Sequence, residues 1–135
     1  NNDPQEEIIV MGDLNEDPTD VNVLGILKSA LVHKAAKYPS YNFFNLMAHH
    51  LGKEKTGTYV YSGNDLLYDQ ILVSPGLLDS TGLTVETPFA HIHDRQKYRQ
   101  QEGKYAHYPF RFWAGNSLLG GYSDHLAVYI KIIVK

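Results

Sequence analysis

The feature that most constrains this chain is a succession of short apolar runs, separated by turn residues, in its second half. The runs are GTYVYSG (57–63), LLYDQILVS (66–74), GLTVETPFA (82–90) and a final run over 126–134. Apolar runs of this length, bounded by glycine and proline, are typical of β-strands, and Pro75 and Gly76 end the second run. The second half is therefore predicted to be rich in strands, with a long segment of little periodicity over residues 89–114.

The first half mixes one strand with two predicted helices. Four apolar residues in a row, 8–11, predict a buried strand covered on both faces. Pro18 is predicted to open a helix, with Thr19 or Asp20 as its N-cap. The apolar residues that recur at helical spacing in this segment are Val21, Leu24, Leu27 and Leu31. A shorter second helix is predicted within FFNLMAHHLG, residues 43–52, ending at Gly52. This order favours an α/β (α+β) domain over a regular βαβ barrel.

Composition narrows the function classes. A chain of 135 residues that is 43% hydrophobic and 20% charged is long enough for one domain with its own core. No apolar run approaches the roughly 20 residues of a membrane helix. The net charge of −3 predicts no broad nucleic-acid-binding surface, although it allows a local basic groove. The absence of cysteine excludes a disulfide, a thiolate zinc site and a cysteine nucleophile.

A polar motif, Gly-Asp-Leu-Asn, follows the first predicted strand. If the strand continued, Asp13 and Asn15 would lie on one side of it, because side chains alternate along a strand. A carboxylate and an amide together can hold a water molecule, a hydroxyl or a hard cation. The alternative is an ordinary Asx turn, which is the preferred interpretation of these residues taken alone.

Two further polar features interrupt apolar strands. Asp69 lies in a run of apolar residues, where a carboxylate is costly unless it is paired, although an exposed strand start would also explain it. Ser123, Asp124 and His125 precede the last strand. Three adjacent residues cannot form a serine-protease relay, because the base must face the nucleophile and be oriented by a third group. A separate carboxylate suits His125 better, and Asp69 is the candidate.

Two other groups carry weaker signals. His91 and His93 have a spacing that metal ligands can use, but a packing or surface role is preferred for them, and the adjacent His49 and His50 would diverge on a helix. The segment 94–113 interleaves cations with aromatic rings and can contact phosphate and stack on bases, or else form a solvated loop. Its cations are Arg95, Lys97, Arg99, Lys104 and Arg111, and its rings include Tyr98, Tyr105, Tyr108 and Trp113.

The motifs GDLN, YDQILVS and SDHLAV, in this order, resemble those of the endonuclease/exonuclease/phosphatase superfamily, the DNase I-like phosphodiesterases. The resemblance runs from Ile8 to the C-terminus, with Leu14 where the family usually has Phe and Ala127 where it usually has Pro. It implies that residues 1–135 are the C-terminal half of a four-layer αββα sandwich, with a mixed, mostly antiparallel sheet backed by helices. The N-terminal half, absent from this chain, is expected to carry the metal-binding glutamate.

The resemblance assigns roles to five residues. Asp13 orients or deprotonates the attacking water, and Asn15 hydrogen-bonds the scissile phosphate or the nucleophile. Asp124 belongs to the metal side of the site, His125 contacts the scissile phosphate, and Asp69 holds that histidine. The predicted metal ligands are Asp13, Asn15 and Asp124. The predicted ion is Mg²⁺ or Mn²⁺, which prefers oxygen ligands and neutralises the charge that develops during phosphate-ester hydrolysis.

The resulting functional prediction is a metal-dependent phosphoesterase that uses activated water. Its substrate would be a phosphate ester, whether nucleic acid, phospholipid head group or sugar phosphate, because the fold does not choose among them. The predicted substrate contacts are Arg95, Lys97, Arg99, Arg111 and Trp113. The predicted partners are the N-terminal half or, through the sheet face it would leave uncovered, a second copy of this chain. The alternative is a non-catalytic fragment or binding module, inactive without the other half.

Overall fold

Short strands carry the fold of residues 6–31 and 42–135, which are the residues that the computed structural model describes. The strands are β1 (Ile9–Asp13), β2 (Ser29–Ala30), β3 (Phe43–Asn45), β4 (Tyr59–Tyr61), β5 (Asn64–Leu66), β6 (Asp69–Val73), β7 (Leu83–Val85), β8 (His91–Ile92), β9 (Trp113–Ala114), β10 (Ser117–Leu118), β11 (Val128–Tyr129) and β12 (Ile132–Val134). The helical segments are a π-helix, Asn22–Ile26, and three 3₁₀ turns, Leu46–His50, Pro75–Leu78 and Gln96–Tyr98. The described chain is thus a mixed α+β structure in which strands dominate.

The largest sheet has four strands in the order β1-β6-β3-β2. β1 and β3 each pair antiparallel with β6, and β2 pairs parallel with β3, so the sheet is mixed and mostly antiparallel, as predicted. β4 pairs with β5, β7 with β12, β8 with β11 and β9 with β10, each in a two-stranded antiparallel ladder. β6 lies between β1 and β3, and its last four residues are buried.

The core lies against one face of β6. Ile71 and Val73 of this strand are about 1% exposed or less and belong to the main buried cluster. The other members of the cluster are Phe44, Leu46, Met47, Leu67, Leu77, Val85 and Ala90. Leu72 and Gln70, the intervening residues of β6, are also fully buried, which shows that both faces of the central strand are covered. This rigid strand carries Asp69 at its first position.

The prediction that the first strand is covered on both faces is wrong. β1 forms, but it is the edge strand of the sheet, and Ile9 and Met11 are 42% and 61% exposed. An edge strand has a neighbouring strand on one side only. The side chains of β1 are therefore covered less than Ile71 and Val73, which lie on a strand with a neighbour on each side. The half-domain and association through these exposed apolar side chains of β1 stay predictions.

The first predicted helix is much shorter than its apolar spacing suggests. It consists of the five π-helical residues Asn22–Ile26, and its N-cap position is Val21, which makes no side-chain cap hydrogen bond, rather than Thr19 or Asp20. Gly25 lies inside it, and Lys28 has a φ of 49°, which ends the helical path before β2 begins at Ser29. Valine, asparagine and glycine are weak helix formers, so little local preference opposes this early end.

The second predicted helix is partly a strand. Residues 43–45 form β3, and only Leu46–His50 is helical, as a 3₁₀ turn whose first turn is capped by the Asn45 side chain accepting from the Met47 amide at 3.0 Å. It ends just before Gly52, as predicted. Since the helices are so short, none in the described ranges is both long and apolar enough to span a bilayer. The helical elements that pack on the sheet are single turns, such as Leu46–His50, whose Leu46 and Met47 belong to the core cluster, and the four-layer sandwich stays a prediction.

The predicted last strand, 126–134, divides into two. Val128–Tyr129 pairs with β8, and Ile132–Val134 pairs with β7. Between them Lys131 turns to β7, where its carbonyl accepts from the Glu86 amide at 2.8 Å and its ammonium lies 3.1 Å from the Glu86 carboxylate. One alternating segment thus forms strands in two separate ladders. His125 directly precedes this segment and forms a β-bridge with Tyr59.

Candidate active site

His125 and Asp69 form a direct contact. Nδ1 of His125 lies 2.7 Å from Oδ2 of Asp69, 56 residues away in the sequence. Both side chains are largely buried, with 23% and 18% of their surface exposed. A carboxylate at Nδ1 fixes the tautomer and turns the other ring nitrogen away from itself. Among the residues described, none hydrogen-bonds Nε2, so this atom is available to a ligand. The predicted contact between these two residues is confirmed.

Thr58 and Tyr59, which the sequence interpretation did not assign to the site, position this pair. The Thr58 hydroxyl is fully buried and accepts a hydrogen bond from the Asp69 amide at 3.1 Å, while the Thr58 carbonyl accepts from the Leu126 amide at 2.8 Å. The Tyr59 ring stacks on the His125 imidazole with centroids 4.6 Å apart and planes 19° from parallel. Thr58 and Tyr59 therefore position both Asp69 and His125. In the sequence these two residues look like part of any strand with alternating side chains.

Asp13 joins the site through the register of the sheet. It lies directly opposite Asp69 on β1 and β6, so the two side chains share a face. The next pair is hydrogen-bonded, since the Leu14 amide donates to the Tyr68 carbonyl at 2.8 Å. Asp13 and Asp69 are therefore a non-hydrogen-bonded pair, for which the Cα atoms are about 4.5 Å apart. This register brings three of the predicted site residues to one end of the strand pair.

Asn15 reaches Asp13 by a turn rather than by continued strand geometry. Its amide donates to Oδ1 of Asp13 at 2.9 Å, and its side-chain Nδ2 lies 3.4 Å from Oδ2. Asn15 has a φ of 51°, a left-handed conformation that asparagine tolerates better than most residues. The local geometry is the Asx turn of the alternative interpretation, and it still places the amide and the carboxylate side by side.

Asp124 and the preceding glycines complete the approach to His125. Asp124 is exposed and makes no hydrogen bond or ion pair within residues 6–31 and 42–135. The Ser123 hydroxyl accepts from the His125 amide at 3.0 Å. Gly120 has a φ of 74°, and Gly121 is so close to the Phe110 carbonyl that a Cβ there would lie 2.1 Å from its oxygen. The double glycine thus lets this segment pass against the 110–112 loop.

The five residues predicted to contact substrate lie in different environments. Arg99 makes a bidentate pair with Asp94, at 3.0 and 2.9 Å, and donates to the His107 carbonyl at 2.6 Å, so its guanidinium ties a loop together. Arg95 and Lys97 are exposed, and the Lys97 ammonium lies 4.8 Å from the Tyr98 ring centre. Trp113, on β9, is 54% exposed.

Arg111, the fifth predicted contact, lines a cavity of about 610 Å³. Tyr59 lines the same cavity, so the ring that stacks on His125 also forms part of its wall. The lining side chains are Tyr59, Val60, Tyr61, Ser62, Gln100, Lys104, Tyr105, Tyr108, Pro109, Arg111, Ala114 and Leu119, with Gly63 and Gly115. The cavity therefore lies beside the histidine and is lined by rings and two cations.

The described residues do not by themselves complete a metal centre. Asp13, Asn15 and Asp124 offer oxygen atoms, which suit a hard cation. No group of three or more acidic or histidine side chains that could hold an ion occurs in residues 6–31 and 42–135. The Asp13 carboxylate already accepts a hydrogen bond from the Asn15 amide.

The ring of His91 stacks on the ring of Tyr129 with centroids 5.0 Å apart, in keeping with the packing role preferred for His91.

Comparison with known proteins identifies the family of this sequence. The sequence model of the endonuclease/exonuclease/phosphatase family matches residues 1–134. The chain belongs to this family. A search of curated proteins and a search of solved structures found no match. Membership indicates a hydrolase of the phosphoesterase or nuclease type, in a family whose enzymes typically use divalent metal ions.

Proposed function

We propose that this protein hydrolyses phosphodiester or phosphomonoester bonds by attack of an activated water molecule. The observation that carries the proposal is the 2.7 Å contact between Nδ1 of His125 and Oδ2 of Asp69, with Asp13 directly across the strand pair. Family membership supports the same class of reaction. The roles proposed for Asp13, Asn15, Asp69, Asp124 and His125 are those that the resemblance to the family implies.

His125 stabilises the transition state, and Asp69 positions it. Asp69 accepts the Nδ1–H bond, and His125 is proposed to donate from Nε2–H to a non-bridging phosphate oxygen. Negative charge on the phosphoryl oxygens develops as the water attacks, which makes this donor more valuable in the transition state than in the ground state. Stacking of Tyr59 on the imidazole keeps the ring plane fixed during the step.

Asp13 acts as the general base. Its carboxylate is held by the Asn15 amide, and it accepts a proton from the attacking water. The second N–H of the Asn15 side chain is free to donate to the phosphate. Asp124 is exposed beside His125 and supplies a further negative charge at the mouth of the site.

The proposed metal ion is Mg²⁺ or Mn²⁺, which would neutralise charge on the ester when bound. Asp13, Asn15 and Asp124 would provide part of its oxygen ligands. The described residues do not gather a full ligand set. We place the remaining ligand, a glutamate, in a second half of the four-layer sandwich, and we propose that residues 1–135 alone are inactive.

The test is hydrolysis by the full-length protein with Mg²⁺ or Mn²⁺. The substrates are bis(p-nitrophenyl) phosphate and nucleic-acid, lipid and sugar phosphate esters. We expect turnover on at least one class, and a fall of about 10²-fold or more in His125→Ala, because one transition-state donor typically contributes that much. His107→Asn, at an exposed histidine, is the control and should keep full turnover.

Two results would reject the proposal. One is inactivity on every substrate class with both metals. The other is normal turnover in His125→Ala. Efficient turnover by residues 1–135 alone would reject only the incomplete-site argument.

A further inference from the structure

We propose that the cavity beside His125 binds the base of a nucleoside phosphate, so that the substrate class is a nucleotide or a nucleic acid. This inference rests on the proposed function, because it assigns the group attached to the reacting phosphate. The residues that define the base site are Tyr61, Lys104, Tyr105 and Tyr108, together with the previously considered Arg111.

The size and shape of the cavity suit an organic ring. Its volume of about 610 Å³ lies within the range of small-molecule sites. Four tyrosines, at positions 59, 61, 105 and 108, line it, and two of them, Tyr61 and Tyr105, are 63% and 49% exposed. Exposed tyrosine faces offer stacking surface to a nucleobase, whereas a sugar phosphate or a phospholipid head group has no aromatic ring to use them.

The charge of the cavity favours an anionic ligand. Among the described residues that line it, only Lys104 and Arg111 are charged, and both are cationic in a chain whose net charge is −3. The Lys104 ammonium lies 5.4 Å from the Tyr105 ring centre, which keeps the cation beside a stacking surface. Rings that alternate with cations are the recurring composition of sites that bind single-stranded nucleic acid.

The cavity is preorganised by hydrogen bonds between distant segments. The Gly63 amide donates to the Tyr108 hydroxyl at 2.7 Å, which joins the turn after β4 to the loop over residues 99–111. The Phe110 amide donates to the Tyr98 carbonyl at 2.7 Å, and the Tyr122 amide donates to the Phe110 carbonyl at 2.6 Å. A rigid site loses less entropy when a ring enters it.

The position of the cavity couples base binding to the reaction. Tyr59 belongs to the wall of the cavity and stacks on His125 at 4.6 Å, so one ring separates the base site from the histidine. Within a nucleotide, the base and the phosphate are joined through one sugar. A base held in the cavity would therefore keep its own phosphate near the stacked pair of Tyr59 and His125.

The experiment measures binding by titration calorimetry to the full-length protein in EDTA, where metal-dependent turnover is blocked. The three probes are adenosine monophosphate, a ten-nucleotide single-stranded DNA and ribose 5-phosphate, which lacks the base. We expect both base-containing probes, or the DNA alone, to bind at least about 10-fold more tightly than ribose 5-phosphate. Binding of the DNA alone would identify nucleic acid, rather than free nucleotide, as the source of the base.

Tyr105→Ala should weaken binding of the base-containing probe by about 5-fold to about 150-fold, the range measured for loss of one stacking partner. Tyr129→Ala removes a half-exposed ring outside the cavity and should leave binding unchanged. Equal binding of ribose 5-phosphate and the base-containing probes, or an unchanged affinity in Tyr105→Ala, would overturn the inference.

The two proposals fail separately. If Tyr105-dependent binding is present but no phosphate ester is hydrolysed, the base site stands and the proposed activity falls. If phosphate esters are hydrolysed but the base contributes nothing to binding, the activity stands and the base site falls.

Discussion

Asp13 lies directly opposite Asp69 in a non-hydrogen-bonded pair of the β1–β6 ladder. Two carboxylates at such a position repel each other, at a cost of about 0.2–1 kcal/mol for exposed cross-strand pairs. Each acid has its own hydrogen-bond donor, because His125 contacts Asp69 and Asn15 contacts Asp13. The register of one ladder thus concentrates negative charge that a protonated imidazole or a cation would compensate.

Asp69→Asn tests whether the carboxylate positions His125. A charge-assisted hydrogen bond contributes about 1.5–3 kcal/mol, so its loss is expected to lower turnover by about 10-fold to about 100-fold in the full-length protein. The ring ¹⁵N shifts of His125 should change with it, which a purely structural role for Asp69 would not require. Asp65→Asn, at an exposed acid on β5, is the matched control. Unchanged turnover in Asp69→Asn would contradict the positioning role.

The contact between Asp69 and His125 could be predicted from sequence because an isolated carboxylate in an apolar strand requires a partner. Thr58 could not be found in the same way. A threonine in an alternating strand is typical of any sheet, and nothing in the chain order says that its hydroxyl meets the Asp69 amide. The sequence also could not predict that residues 59–63 and 100–119 line one cavity, because these segments come together only through tertiary packing.

The strands were easier to predict than the helices for a physical reason. β6 contains the apolar residues Ile71, Leu72 and Val73, two of them β-branched, and its last four residues are buried. In contrast, Val21, Leu24 and Leu27 follow helical spacing, but the left-handed Lys28 ends the helical path. Apolar periodicity describes which side chains share a face, whereas the backbone at a few positions decides how long the helix continues.

Thr58→Val is expected to lower the free energy of unfolding by about 1–3 kcal/mol. The change keeps the shape of the fully buried side chain but leaves the part-buried Asp69 amide without its acceptor. Thr58→Ser keeps the hydroxyl and loses one methyl group, at a cost of about 1 kcal/mol. Urea unfolding gives the energies, and amide hydrogen exchange should accelerate at Asp69 in the valine variant alone. Equal exchange at Asp69 in both variants would show that the hydroxyl is not its acceptor.

Gly121→Ala is expected to displace the segment that precedes His125. Its Cβ would lie 2.1 Å from the Phe110 carbonyl oxygen, which is backbone and cannot turn aside as a flexible side chain can. Overpacking of this kind typically costs about 1–3 kcal/mol. Gly25→Ala, where the added Cβ has open space, is the control and should be neutral or stabilising by about 0.4–1 kcal/mol. Thermal unfolding of both variants checks the pair, and equal stability would argue against the close approach.

His50 makes the stability of the fold depend on pH. Burial lowers its pKa below the usual 6.5, against the opposing effect of the hydrogen bond to the Ala90 carbonyl, and positive charge on Lys53, His49 and His91 lowers it further. The folded state therefore binds fewer protons than the unfolded state in this range. The contribution of neutral His50 to the unfolding free energy is fully present above about pH 6.5 and is lost as the pH falls through the lowered, folded-state pKa.

His50→Gln retains an N–H donor for the Ala90 carbonyl but does not titrate. Its unfolding free energy is expected to fall less steeply than that of the wild type between about pH 7 and about pH 5. Urea unfolding at a series of pH values measures both slopes, with the exposed His107→Asn as a control that should follow the wild type. If His50→Gln and the wild type have the same slope, protonation of His50 is not coupled to unfolding, and another group accounts for any dependence on pH.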